Sequence, residues 1–191
     1  NLAFSDKYEA EAAVLGGSAA ANYEGEGSTA SNKAQVIATG GTGASLTFDH
    51  VKAANRLIIG YTAEADASGP SKYSLYVAKP GEDFVRMQDV TFKPTGSWSG
   101  NFAERVVDID IPYGSDIKLQ NDGHGDTAVH FDYIKLTGLY EAENGNFSGN
   151  SRTWYHAVNE PKGPSGGYWA WAFADIGDGV EIPGVRGGNQ V

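Results

Sequence analysis

Two glutamates, Glu9 and Glu11 in Tyr8-Glu9-Ala10-Glu11, are the first residues here whose types and spacing can do chemistry. On a strand the side chains alternate, so both carboxylates fall on one face, close enough to repel. Three readings are open. A solvated face leaves the pair without a role, which is the ordinary case. A hard cation turns the repulsion into coordination, because calcium gathers several carboxylate and carbonyl oxygens. Asp132, in the otherwise apolar His130-Phe131-Asp132-Tyr133-Ile134, is then the natural third ligand. Two acids can also form a glycosidase pair, but those face each other across a cleft, whereas these are neighbours on one strand.

The elements that must hold these residues read as β-strands. Alternation or β-branched runs mark 44–48, 56–62, 72–77, 105–111, 116–119 and 130–136. Turn signals separate them at roughly ten-residue intervals, a pattern of sandwiches and barrels. The 26 glycines fit a chain of many tight turns. The segment 7–15 suits an edge strand or a single helical turn. Tyr61, Tyr73, Phe84 and Phe48 are expected in the core.

The net charge of -10 repels nucleic acid and favours a cation. With no cysteine in 191 residues, thiolate metal sites and thiol catalysis are excluded. No apolar run reaches the roughly 20 residues that span a bilayer, and no signal peptide stands at Asn1, so a secreted protein would be met here in mature or excised form.

The chain also repeats itself. Tyr8-Glu9-Ala10-Glu11 recurs as Tyr140-Glu141-Ala142-Glu143, each copy followed by a small-residue loop, a strand, a glycine-rich turn and a second strand. This predicts a complete unit over 1–138 and a partial second repeat over 139–191.

Taken together, Tyr8-Glu9-Ala10-Glu11, the turn Thr95-Gly96-Ser97-Trp98 and the closing Phe131-Asp132-Tyr133-Ile134 resemble the hallmarks of carbohydrate-binding modules of families 35 and 6, in order and in spacing. The resemblance implies an all-β jelly-roll sandwich of two antiparallel sheets with a structural calcium. Its ligands would be the carboxylates of Glu9, Glu11 and Asp132 and a backbone carbonyl near Lys33. It also implies an oligo- or polysaccharide bound in loops at one end, on an aromatic face flanked by hydrogen-bonding groups. Trp98, in a polar glycine-serine turn, is the expected platform; folding back to cap the sandwich is its other reading. His130 stands where the family usually has asparagine, and Gln35 where an aromatic often stacks. Tyr23 would supply a second platform, and Asn121 a polar contact or part of a solvated turn.

The function expected is a non-catalytic module, extracellular and joined in cis to a glycoside hydrolase, transferase or polysaccharide lyase. The competing readings are a catalytic hydrolase or lyase fragment, and a structural or adhesive sandwich without a sugar site.

Overall fold

The structure, a computed structural model, describes residues 2–63, 70–123, 128–140, 146–150, 152–155, 168–171 and 176–181. The chain divides into two compact units, Ser5–Thr137 and a second made of Asn1–Phe4 with Gly138–Val191.

β1 (Leu2–Glu9), which belongs to the larger unit from Ser5 onward, leads into a 3₁₀ turn, Ala10–Ala12. Then come β2 (Val14–Gly16), β3 (Ala20–Tyr23), the 3₁₀ turn Ser31–Lys33, and β4 (Ala34–Ile37). β5 (Ser45–Val51), β6 (Ala54–Ala63), β7 (Ser71–Ala78) and β8 (Val85–Phe92) follow. β9 (Ala103–Ile111), β10 (Ser115–Gln120) and β11 (Val129–Tyr140) complete it. One sheet runs β3-β4-β11-β6-β9, with β1 also on β11; the other runs β2-β5-β10-β7-β8. The pairings among β2 to β11 are antiparallel. This is the all-β, two-sheet architecture expected.

Alternation decides which residues lie between the sheets. β10 is buried at Ser115, Ile117 and Leu119 and partly open between them. Leu46, Phe48, Tyr73 and Leu75 join these from the same sheet, while Leu57, Ile59, Phe131, Ile134 and Leu136 come from the other. Four aromatics bind the layers edge to face. Phe92 meets Tyr61 at 4.9 Å, Tyr73 at 5.8 Å and Phe131 at 5.3 Å, and Tyr73 meets Phe131 at 5.2 Å. Edge-to-face contact sets the positive rim of one ring against the negative face of the next, a gain beyond simple burial.

Two expectations need correction. Phe84 is not core: it stands 37% exposed just before β8, with the Lys118 ammonium 4.6 Å from its ring centre. Nor does a strand continue through Ala10. That residue is wholly buried, and the chain turns around it, with the Ala13 N–H donating to the Ala10 carbonyl at 3.1 Å. The simple alternation of Glu9 and Glu11 therefore does not hold.

In the smaller unit, β12 (Asn146–Ser148) pairs with β15 (Gly179–Glu181), and β13 (Arg152–Tyr155) with β14 (Tyr168–Trp171). The nesting is that of β2 with β5 and β3 with β4. The register matches too. Leu15 opposite Leu46 corresponds to Phe147 opposite Val180, and Asn22 opposite Gln35 to Trp154 opposite Trp169. Left-handed glycines recur at the same places: Gly17 (φ 63°) and Gly43 (φ 85°) in one ladder, Gly149 (φ 64°) and Gly177 (φ 98°) in the other. Glu141, Ala142 and Glu143 of the repeated motif lie outside the described residues.

Phe131→Ala opens a cavity at the meeting of the two sheets. Urea denaturation is expected to read a loss of about 3–5 kcal/mol, the range for a buried phenylalanine cut to alanine.

Candidate functional site

Ser31 and Asn32, at the start of β4, gather the predicted acids. The Ser31 N–H donates to Asp132 Oδ1 at 2.9 Å, and its hydroxyl to Glu9 Oε2 at 2.6 Å. Asn32 Nδ2 donates to Glu11 Oε1 at 2.7 Å, while Glu11 Oε2 is buried with no hydrogen-bond partner. Asn32 and Lys33 both adopt the left-handed region (φ 50° and 60°), which β-carbon-bearing residues rarely occupy. The turn is thus bent sharply while three carboxylates from three elements close on it.

Compensation is partial. The Lys7 ammonium lies 3.2 Å from Glu9 Oε1, donates to the Ser31 hydroxyl and sits 4.4 Å from the Tyr133 ring centre. Asp132 is 2% exposed. Burial foremost, aided by the charges of Glu9 and Glu11 and opposed by the Ser31 N–H and Lys7, pushes its carboxyl up to about 6. The Lys33 carbonyl accepts the Glu24 N–H at 2.9 Å, and the Lys33 ammonium reaches the carbonyls of Glu26 and Ser28 at 3.2 Å. Among the described residues, no three Asp, Glu or His side chains are gathered tightly enough to hold an ion as they stand. The buried, unpartnered oxygen of Glu11 and the elevated Asp132 nevertheless fit a hard cation by charge and donor type.

A second constellation forms around one backbone atom. The Trp98 carbonyl accepts Thr62 Oγ1 at 2.9 Å, His130 Nδ1 at 3.0 Å and Gln35 Nε2 at 3.2 Å. The turn itself is pinned to the end of β6, where Thr95 and Ala63 exchange backbone and hydroxyl hydrogen bonds of 3.0–3.1 Å. Half-buried Trp98 stacks on His130, with ring centres 4.5 Å apart and planes at 28°. Burial, chiefly, lowers the His130 pKa, with the Trp98 carbonyl and Glu24 opposing, so the neutral ring with its Nδ1 proton on that carbonyl is favoured near neutral pH.

Beside this bracket lies an open cleft of about 270 Å³, lined by Glu24, Gly27, Ser28, Thr29, Ser99 and Gly100. Tyr23, the residue before Glu24, is 73% exposed on the edge strand β3.

Gln35 and Asn121 require correction as sugar contacts. Each is 1% exposed. Gln35 ties Glu24 and the Trp98 carbonyl together, whereas Asn121 holds the carbonyls of Thr39 and Gly40 and receives the Gly123 N–H. Both organise backbone instead of facing solvent. Sequence reasoning missed Glu24, Ser28 and Thr62. Glu24 lies in Tyr23-Glu24-Gly25-Glu26-Gly27-Ser28, which reads as an ordinary polar loop.

No protein-family model matches the sequence, and no curated protein does either. Solved structures do. A family 35 carbohydrate-binding module from Clostridium thermocellum shares 24% identity at a TM-score of 0.57, over 70% of this chain and 98% of that one. The C-terminal family 6 module of a marine laminarinase from Zobellia galactanivorans shares 16% at 0.52, over 70% and 99%. The fold is that of the family 35 and family 6 carbohydrate-binding modules. A Paenibacillus sp. cycloisomaltooligosaccharide glucanotransferase, solved with cycloisomaltoheptaose, shares 25% at 0.53, over 69% of this chain and 18% of its own. The chain thus spans nearly all of the two modules and under a fifth of the enzyme.

The raised Asp132 pKa fixes the sign of a pH effect. A carboxyl that binds its proton more tightly folded than unfolded stabilises the fold fully below the unfolded value, about 4. That contribution is lost as pH rises through about 6. Without divalent metal, the Tm of Asp132→Asn relative to the unaltered protein is therefore expected to climb between pH 4 and pH 7.

Proposed function

We propose that this chain is a carbohydrate-binding module that holds an oligo- or polysaccharide at the cleft beside Trp98, with a structural calcium at Glu9, Glu11, Asp132 and the Lys33 carbonyl. One observation carries the saccharide reading: the turn whose Trp98 carbonyl is fixed by three donors lines, through Ser99 and Gly100, an open cleft of hydroxyls, backbone and one carboxylate. A pyranose needs an aromatic plane for its C–H face and acceptors and donors for its rim. Tyr23 offers a second exposed ring. His130 acts from beneath, as support for the indole and donor to its carbonyl.

The calcium reading rests on charge. Three carboxylates converge on Ser31 and Asn32, with one ammonium among them and one buried oxygen unpartnered. The cation's part would be structural, drawing the end of β1 to β11 through the turn before β4.

The module reading extends to a place in an extracellular carbohydrate-active enzyme, joined in cis to its catalytic domain. In support, a segment of the same fold is embedded in the glucanotransferase, where this chain covers 18%. The matching ladders, registers and glycine positions of the smaller unit support reading 139–191 as a partial second repeat of the module.

Trp98→Ala tests the site. Retention on polysaccharide gels is expected to fall at least about tenfold, some 1.4 kcal/mol, with circular dichroism unchanged. Undiminished retention would remove Trp98 from the site and favour a spacer without a sugar site. Calcium has its own assay. Adding it at about 100 times its Kd should stabilise the protein by ~2.7 kcal/mol, with chelator reversing the rise in Tm. An unchanged melting curve refutes the metal.

A further inference from the structure

We propose that Glu24 sets the ligand class of the cleft, admitting neutral saccharides through their hydroxyl groups and turning away uronates. The inference rests on the saccharide reading above and asks which saccharides fit.

Among the described residues lining the cleft, Glu24 contributes the one ionisable side chain; the others are Gly27, Ser28, Thr29, Ser99 and Gly100. Its carboxylate is held at both oxygens. Gln35 Nε2 donates to Oε1, and the Ser28 hydroxyl donates to Oε2 at 2.5 Å. Gln35 is itself buried and also donates to the Trp98 carbonyl at 3.2 Å, so one amide fixes both the carboxylate and the aromatic turn. A carboxylate oxygen accepts about two hydrogen bonds, so each retains capacity for a further donor. Sugar hydroxyls supply such donors, and a hydrogen bond to an ionised acceptor is stronger than one between neutral groups.

A uronate brings a second carboxylate instead. Among the described residues that line the cleft, no side chain is cationic. The nearby Lys33 ammonium is directed to the carbonyls of Glu26 and Ser28. His130, stacked on the Trp98 ring, favours its neutral form. The net charge of -10 adds a repulsive field to the local one. Both effects disfavour polyanions.

The test is affinity gel electrophoresis of the full chain on β-1,4-mannan, dextran, β-1,4-xylan and β-1,4-galactan, set against polymannuronate and polygalacturonate. Mannan and polymannuronate form a close pair, since the second is the C6-oxidised form of the first. At least one neutral polymer should be retained, with polyuronates bound at least about tenfold more weakly, a gap of about 1.4 kcal/mol. Glu24→Gln, which keeps size and shape, should cut that ratio about tenfold. A salt series on the unaltered protein needs no substitution: between about 0.05 and about 0.5 M the gap should narrow as charge is screened.

Equal or tighter binding of polyuronates would overturn the proposal and leave the saccharide reading standing. So would a neutral-to-uronate ratio unmoved by Glu24→Gln, whether or not salt moves it. Failure to bind any of the polymers would overturn the saccharide reading, and this inference with it.

Discussion

Negative charge concentrated at one bend is the constraint on which the rest of this structure depends. Glu9 closes the first strand, Glu11 lies in the turn after it, and Asp132 sits on β11; all three reach the backbone or side chains of Ser31 and Asn32. Like charges drawn to one bend repel unless a cation or donors intervene. The turn offers an amide, a hydroxyl and a carboxamide, and Lys7 supplies one positive charge. The left-handed backbone of Asn32 and Lys33 lies in this same bend, whose Ser31 and Asn32 groups the acids accept from.

The bend has consequences further along the chain. It launches β4, which carries Gln35 two residues beyond Lys33. Gln35 then fastens Glu24 to the Trp98 carbonyl, where Thr62 from β6 and His130 from β11 also converge. The carboxylate turn and the aromatic turn are thus linked by two covalent steps and one buried amide. Three donors on the Trp98 carbonyl hold the turn, and His130 stacked on the ring holds the indole. Rigid support beneath a recognition element lowers the entropy lost on binding.

Much of this architecture was legible in the residues. Alternation at 105–111 and 116–119 predicted β9 and β10 closely, because one face of each is buried and the pattern has to follow. β8 went unread: its first five residues, Val85 to Asp89, are exposed, so an edge strand gave little alternation to detect. The three acids were legible as a set, although the reason given for Glu9 and Glu11 was a strand that in fact ends between them. The bracket on Trp98 was not legible. Its acceptor is a backbone atom, and its donors come from three strands far apart in sequence. Gln35 and Asn121 were misjudged for a related cause. A polar side chain in a loop or strand looks like a ligand contact until the carbonyls it must satisfy are in view.

The central claim is that a saccharide lies in the cleft between the 24–29 loop and the turn carrying Trp98. Amide and indole resonances followed by two-dimensional nuclear magnetic resonance during titration with a retained neutral oligosaccharide test it most directly. The account predicts that Ser28, Thr29, Ser99 and Gly100 amides and the Trp98 indole N–H shift together and saturate at one ligand concentration. Shifts confined to another surface, such as the Tyr76, Phe84 and Lys118 face of the five-stranded sheet, would contradict it.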